Sequence, residues 1–75
     1  MPKLPVLSAR DVVKALSKIG YVFDHQTGSH IILRHTDPPH RRVTVPDHKT
    51  IAKGTLRQII TDVGFAKDDF IGLLK

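Results

Sequence analysis

The sequence predicts an α+β fold in which a three-stranded antiparallel sheet carries helices on one face and leaves the other face to solvent. Two segments with apolar residues at helical spacing lie toward the two ends of the chain. Three short segments rich in β-branched residues lie between them, separated by glycine and proline. The predicted order is α-β-β-β-α, followed by a short extra C-terminal helix. A chain of 75 residues has room for one domain, which we expect to span residues 1–75.

The first helix is predicted to begin after Ser8, because a serine hydroxyl is a favourable N-cap. Asp11 stands where a capping box has its acidic residue, although glutamate is the usual choice, so the return bond to Ser8 stays open. Gly20 supplies the left-handed residue that ends the helix. The apolar stripe between these ends consists of Val12, Val13, Leu16 and Ile19.

Three strands are predicted at residues 21–25, 30–35 and 41–45, where aromatic and β-branched residues are frequent. Residues 26–28 are predicted to form a three-residue hairpin loop that ends on a left-handed glycine. The sequence Asp-Pro-Pro-His at 37–40 separates the second strand from the third, because proline cannot donate to the ladder.

Alternation along the strands divides their side chains between the two faces of the sheet. With a loop at residues 26–28, Phe23 pairs with Ile31 on the covered face and Asp24 lies opposite His30 on the open face. A two-residue loop reverses this register, so both pairings stay open. The side chains predicted on the open face are His30, Ile32, Arg34, Arg42 and Thr44. Those predicted to point toward the helices are Ile31, Leu33, Val43 and Val45.

A second helix is predicted to open at residues 54–55, after a basic connection at residues 47–53. Gly64 ends it. A short last helix begins near residues 68–69, both aspartate, where the helix dipole favours acidic side chains. The apolar residues are Leu56, Ile59, Ile60 and Val63 in the second helix and Phe70, Leu73 and Leu74 in the last.

The composition indicates a basic protein of a reducing compartment. Twelve Lys and Arg oppose seven Asp, the formal net charge is +5, and such a domain attracts polyanions, nucleic acid first among them. The simpler interpretation is that the charge keeps the protein soluble. The absence of cysteine excludes disulfides, thiol nucleophiles and cysteine–zinc sites. No apolar run approaches the roughly 20 residues of a membrane span, so we expect a cytoplasmic protein without membrane contact.

His30 is the strongest candidate for catalysis. An imidazole takes or gives a proton near neutral pH, and RNA cleavage needs a base for the 2′-OH and an acid for the leaving 5′-oxygen. The turn at Gly28 and Ser29 brings backbone N–H groups that can hold a phosphate, and Arg34 and Arg42 share the predicted face. The alternative is an ordinary exposed strand histidine.

The other histidines point less clearly to a site. His25, His30, His35 and His40 recur every five residues, but an odd spacing alternates the faces of a strand. No established histidine–metal motif is present, so we expect neither a metal nor another cofactor. His48 is the next candidate for substrate contact.

Basic residues around the start of the second helix are candidates for binding phosphates together with the N-terminal amides of that helix. These are Lys49, Lys53 and Arg57, and the alternative is an ordinary solvated face. The candidate RNA-binding residues are therefore Gly28, Ser29, Arg34, Arg42, His48, Lys49, Lys53 and Thr55.

Several segments in order resemble the HicA family of bacterial toxins, also called YcfA-like. They are Lys3-Leu4-Pro5-Val6-Leu7-Ser8, Ala15-Leu16 through Gly20-Tyr21, Gly28-Ser29-His30, Val43-Thr44-Val45-Pro46 with His48, and Lys53-Gly54-Thr55-Leu56 with Ile59. The resemblance covers nearly the whole chain. It departs from the family in the proline-rich loop at residues 37–40.

The resemblance implies a fold like that of double-stranded-RNA-binding domains, with His30 in the catalytic position. It implies a metal-independent mRNA interferase that arrests translation and growth and is neutralised by a HicB-type antitoxin. Two other functions suit the same charge: a non-catalytic RNA-binding module, and a basic subunit for an acidic protein partner.

Overall fold

The computed structural model describes residues 5–74, so Lys3 and Leu4 of the resembling N-terminal segment lie outside it. Its elements follow the predicted order. They are α1 (Ala9–Ser17), β1 (Tyr21–Thr27), β2 (His30–His35), β3 (Arg42–Pro46), α2 (Lys53–Asp62) and α3 (Lys67–Gly72). The strands form one antiparallel sheet in the order β1-β2-β3. The α+β class and the three-stranded sheet are confirmed, and the arrangement is consistent with a double-stranded-RNA-binding-like fold.

Helix α1 begins with a complete capping box. The Asp11 backbone N–H donates to Ser8 Oγ over 3.2 Å, and the Ser8 backbone N–H donates to Asp11 Oδ2 over 3.1 Å. These bonds, the backbone one first, hold the pKa of the Asp11 carboxyl below its ordinary value. Aspartate therefore closes the box as glutamate does, and the bond left open by the sequence is present.

The core lies between the inner face of the sheet and the helices. Leu33, Val43 and Val45 point into it from β2 and β3, as predicted. The short helix α3 contributes Phe70, the largest fully buried side chain, and Lys18 Nζ ties α1 to the end of α3 by donating to the Leu73 carbonyl over 2.7 Å. The buried helical residues are Ala9, Val12, Ala15, Leu16, Leu56, Ile59, Ile60 and Phe70.

The β1–β2 hairpin has a two-residue loop, so the predicted three-residue loop at 26–28 is wrong. Thr27 pairs with His30, which leaves Gly28 and Ser29 as the loop. Gly28 has φ +56°, whereas Ser29 has a negative φ. A two-residue loop of this kind needs a left-handed residue only at its first position, and its twist matches the right-handed twist of the strands. This match explains why the chain forms the shorter loop.

A β-bulge in β1 restores the faces that this shorter loop would reverse. The register shifts between Phe23 and His25, and Asp24 is the extra residue. Asp24 is therefore not opposite His30, and Phe23 pairs with Leu33 rather than Ile31. The expectation of a buried Phe23 is also wrong: it is 61% exposed, on an edge strand that has a neighbour on one side only.

Gly20 is expected to tolerate no side chain. Its φ is +98°, and an added Cβ would lie 2.8 Å from His35 Nε2, which itself bonds the Ile19 carbonyl over 2.8 Å. Gly20→Ala should cost about 1–2 kcal/mol for the backbone and a further amount for the displaced ring. Chemical denaturation measures the sum.

Gly64→Ala is the matched control, because Gly64 also has a positive φ, +78°, but has open space around its Cβ position. We expect Gly20→Ala to lower the free energy of unfolding by more than Gly64→Ala does. Equal losses in the two variants would show that the contact with His35 contributes nothing.

Candidate active site on the open sheet face

His30 occupies the first position of β2, directly after the hairpin loop. It pairs with Thr27 on β1 and Pro46 on β3, so it lies in the central strand with a neighbour on each side. The residue is exposed, and its ring makes no hydrogen bond or ion pair with any residue in the range 5–74. The imidazole that the sequence singles out is thus open to solvent and free to meet a ligand.

The open face carries the polar residues that the alternation predicts, but they are spread along it. His30, Ile32 and Arg34 follow one another on this face of β2, and Arg42 on β3 lies opposite Arg34. Arg34 lies four residues after His30 along the extended strand, a distance of about 13 Å. The two arginines therefore share the face of His30 without lying beside its ring.

A charged cluster around the bulge occupies the middle and far part of this face. Asp24 Oδ2 lies 2.8 Å from His25 Nδ1 and 3.6 Å from Arg42 Nε, and Asp24 Oδ1 lies 3.8 Å from Arg34 Nε. We call Asp24, His25, Arg34 and Arg42 the bulge cluster. The hydrogen bond from His25 and, more weakly, the nearby arginines lower the pKa of the Asp24 carboxyl. The Asp24 carboxylate therefore neutralises part of the positive charge of Arg34 and Arg42.

Sequence reasoning missed His25 as a member of this face. With the observed register His25 lies opposite Ile32, one row from His30 and diagonal to it. Side chains at such diagonal positions lie about 7–8 Å apart, within reach of a shared ligand. A two-residue loop at Gly28-Ser29, between Thr27 and His30, is the signal in the sequence that could have placed His25 on this face. The bulge at Asp24, which also determines the register of β1, depends on pairing along the whole hairpin and could not be found in this way.

The loop after β3 approaches the hairpin loop. The Asp47 backbone N–H donates to the Ser29 carbonyl over 2.6 Å, and Gln26 Nε2 donates to Asp47 Oδ2 over 3.2 Å. The next residue, His48, is exposed, and its carbonyl accepts the Ala9 N–H over 2.9 Å. The structure therefore brings the backbone beside His48 to the loop that precedes His30.

Lys49, Lys53 and Thr55 are exposed at the entry to α2, and none of the three makes a hydrogen bond or ion pair with His30. The N-cap residue of α2 is Ala52, which makes no side-chain capping bond, and the first turn holds no acidic residue. The positive end of the helix dipole is therefore uncompensated beside Lys53, an arrangement that favours anions.

The remaining histidines have structural roles. His35 Nε2 donates to the Ile19 carbonyl while its Nδ1 accepts the Asp37 N–H over 3.0 Å, and the ring meets Tyr21 edge to face. His40 Nδ1 lies 3.2 Å from the His35 carbonyl. Between Pro5 and Leu74, no three histidine or aspartate side chains gather in the manner of a metal site.

Fold and surface together define a small α+β domain that presents a basic, histidine-bearing sheet face to solvent. The family model for the HicA toxin of bacterial toxin–antitoxin systems matches residues 9–65. The chain belongs to this family, and it is the toxin of a toxin–antitoxin system, which implies an antitoxin partner. A search of curated proteins found no match. Within residues 5–74, none of the helices has the length and apolar character needed to cross a bilayer.

Proposed function

We propose that this toxin is a metal-independent endoribonuclease, an mRNA interferase, in which His30 is the catalytic proton-transfer group. The observation that carries the proposal is the exposed imidazole of His30, which bonds no residue of the range 5–74, at the hairpin loop of a HicA-family toxin. Cleavage of mRNA would arrest translation and growth in the cytoplasm, which is the effect expected of such a toxin.

The chemistry needs no group beyond the RNA itself and proton-transfer side chains. His30 takes the proton of a ribose 2′-OH, the 2′-oxygen bonds the adjacent phosphorus, and the bond from phosphorus to the 5′-oxygen breaks as that oxygen gains a proton. The products are a 2′,3′-cyclic phosphate and a 5′-hydroxyl. A well-placed proton-transfer group contributes about 10²–10⁴-fold to such a rate.

The proposed RNA contacts surround His30 at increasing distance. The backbone of Gly28 and Ser29, which turns directly before His30, is proposed to meet the scissile phosphate through its N–H groups. Arg34 and Arg42 lie farther along the face and suit phosphates beyond the cleaved one. The contacts proposed on the loop after β3 and the start of α2 are His48, Lys49, Lys53 and Thr55.

The antitoxin is proposed to be of the HicB type and to cover the His30 face. The net charge of +5 favours an acidic partner surface that competes with RNA for the same side chains. One protein surface would then serve for substrate and inhibitor in turn, which links neutralisation to loss of RNA binding.

The direct test of the proposed reaction is the structure of the cleaved ends. We expect the purified protein to cut single-stranded RNA in the presence of EDTA and to leave 2′,3′-cyclic phosphate and 5′-hydroxyl termini. Mass spectrometry of the fragments distinguishes these from the 3′-hydroxyl and 5′-phosphate ends of metal-dependent hydrolysis. RNA that is retained but never cut would favour the non-catalytic RNA-binding module instead.

A further inference from the structure

We infer that His25 is a second catalytic residue, the general acid that protonates the leaving 5′-oxygen, with Asp24 as its positioning residue. This inference rests on the proposed function, since it completes the same cleavage reaction. It assigns a role to the bulge of β1, which the account of His30 leaves without one.

The register places the two histidines at diagonal positions on one face, with room for a phosphate between them. His25 lies opposite Ile32, and His30 is two residues before Ile32 on the same face of β2. Diagonal positions of this kind are about 7–8 Å apart, which leaves room for a phosphodiester with one ring on each side. Thr27, which pairs with His30, lies on the same face and closes the site toward the loop.

The contact with Asp24 determines which atom of His25 exchanges a proton. A carboxylate only accepts hydrogen bonds, so the 2.8 Å contact assigns the hydrogen to His25 Nδ1. Nε2 is then the nitrogen that faces a ligand. The side chain of His25 is 52% exposed, so a ligand can reach it.

The same contact distinguishes the roles of the two rings. A carboxylate on Nδ1 stabilises the imidazolium form of a histidine, as in proteases that use an aspartate behind the histidine. His30 has no acidic neighbour within residues 5–74 that bonds its ring. The carboxylate behind His25 suits this ring to the acid role, and the lack of such a partner within residues 5–74 suits His30 to the base role.

Protons and bonds balance over the step. His30 accepts the proton of the 2′-OH as the bond between the 2′-oxygen and phosphorus forms. His25 Nε2 gives its proton to the 5′-oxygen as the bond between that oxygen and phosphorus breaks. Exchange with water then returns both rings to their starting forms.

The test compares two oligonucleotides that differ in one atom, the bridging 5′-oxygen or a sulfur in its place. A thiolate leaves without a proton because thiols are far stronger acids than alcohols, with a pKa of about 8.5. We expect His25→Gln to lower kcat/KM by about 10²–10⁴-fold on the ordinary RNA and to approach the wild-type rate on the sulfur substrate. His30→Gln should lose activity on both substrates.

Each outcome separates this inference from the proposed function. His25→Gln with wild-type activity on the ordinary RNA overturns the inference, and so does an equal loss on both substrates, which indicates a binding or structural role. Wild-type protein that cuts neither substrate, or His30→Gln that cuts both normally, overturns the proposed function as well. His40→Gln is the matched control, since His40 lies in the loop before β3, outside the site.

The pH profile gives a second readout. The charged and titratable groups that face His25 are Asp24 on its own strand, His30 and Arg34 on β2, and Arg42 on β3. A general acid acts only while protonated and a general base only while it can accept a proton, so wild-type kcat/KM on the ordinary RNA should fall at both high and low pH. On the ordinary RNA, His25→Gln should lose the high-pH decline and keep the low-pH one, whereas on the sulfur substrate the wild type should already lack the high-pH decline. An unchanged profile contradicts the assignment.

Discussion

Expression of the His30→Gln variant is expected to leave bacteria growing at the rate of an empty-vector control, whereas the wild-type toxin without its antitoxin stops growth. The amide cannot take the 2′-OH proton, so the cleavage rate should fall by about 10²–10⁴-fold. Because the ring is exposed and makes no hydrogen bond within residues 5–74, its loss should leave folding intact. Colony counts and the growth rate after induction measure the effect.

His40→Gln again provides the comparison, because it makes the same chemical change at an exposed histidine elsewhere. That variant should remain as toxic as the wild type. If both variants stop growth equally, His30 does not carry the toxicity. If neither variant stops growth, the loss of toxicity comes from poor expression or folding, which immunoblotting and circular dichroism of the two proteins would show.

Phe70→Ala is expected to have the largest effect on stability. Phe70 is fully buried on α3, and truncation of a buried phenylalanine costs about 3–5 kcal/mol. A domain of this size has roughly 4–11 kcal/mol in total, so the variant loses much of its stability. The melting temperature should fall by at least about 10 °C, at ~4–8 °C per kcal/mol, and calorimetry measures it.

Asp69→Ala is the control for this change, because Asp69 precedes Phe70 on α3 but is exposed. Its melting temperature should stay near that of the wild type. The family match ends at residue 65, so the comparison also asks whether α3 belongs to the stable core. A Phe70→Ala variant that melts with the wild type would show that α3 is dispensable.

Local signals in the sequence predicted most of the fold. The capping pair Ser8 and Asp11, the apolar stripes of α1 and α2, and the alternation in β2 and β3 each act over a few residues. The structure confirms them because each depends on residues close together in the chain. Pro46 shows how small the errors are: it closes β3 at the sheet edge, one residue beyond the predicted end.

The hairpin register could not be read from the sequence in the same way. It results from the two-residue loop at Gly28 and Ser29 together with the bulge at Asp24, each of which alone reverses the faces of β1. Tyr21 lies beyond both the loop and the bulge, so the two reversals cancel there and its side chain is buried on the inner face. The prediction with the three-residue loop therefore put Asp24 on the correct, open face, but opposite His30 instead of near Arg34 and Arg42.

The candidate site shows the same division. His30 was identifiable because it starts β2 directly after the turn at Gly28 and Ser29, and this placement needs no knowledge of how β1 pairs. His25 was not, because its place beside His30 depends on how β1 pairs with β2. The contact of Asp24 with Arg34 and Arg42 depends further on β3, so three strands must be in register before the bulge cluster exists.

The central claim is that the His30 imidazole transfers a proton during RNA cleavage. Its most direct test is a single-turnover measurement in EDTA, with RNA saturated by purified wild-type or His30→Gln protein and binding followed in the same reactions. We predict equal RNA affinity and a cleavage rate constant about 10²–10⁴-fold lower for the variant. Equal rate constants for the two proteins would contradict the claim.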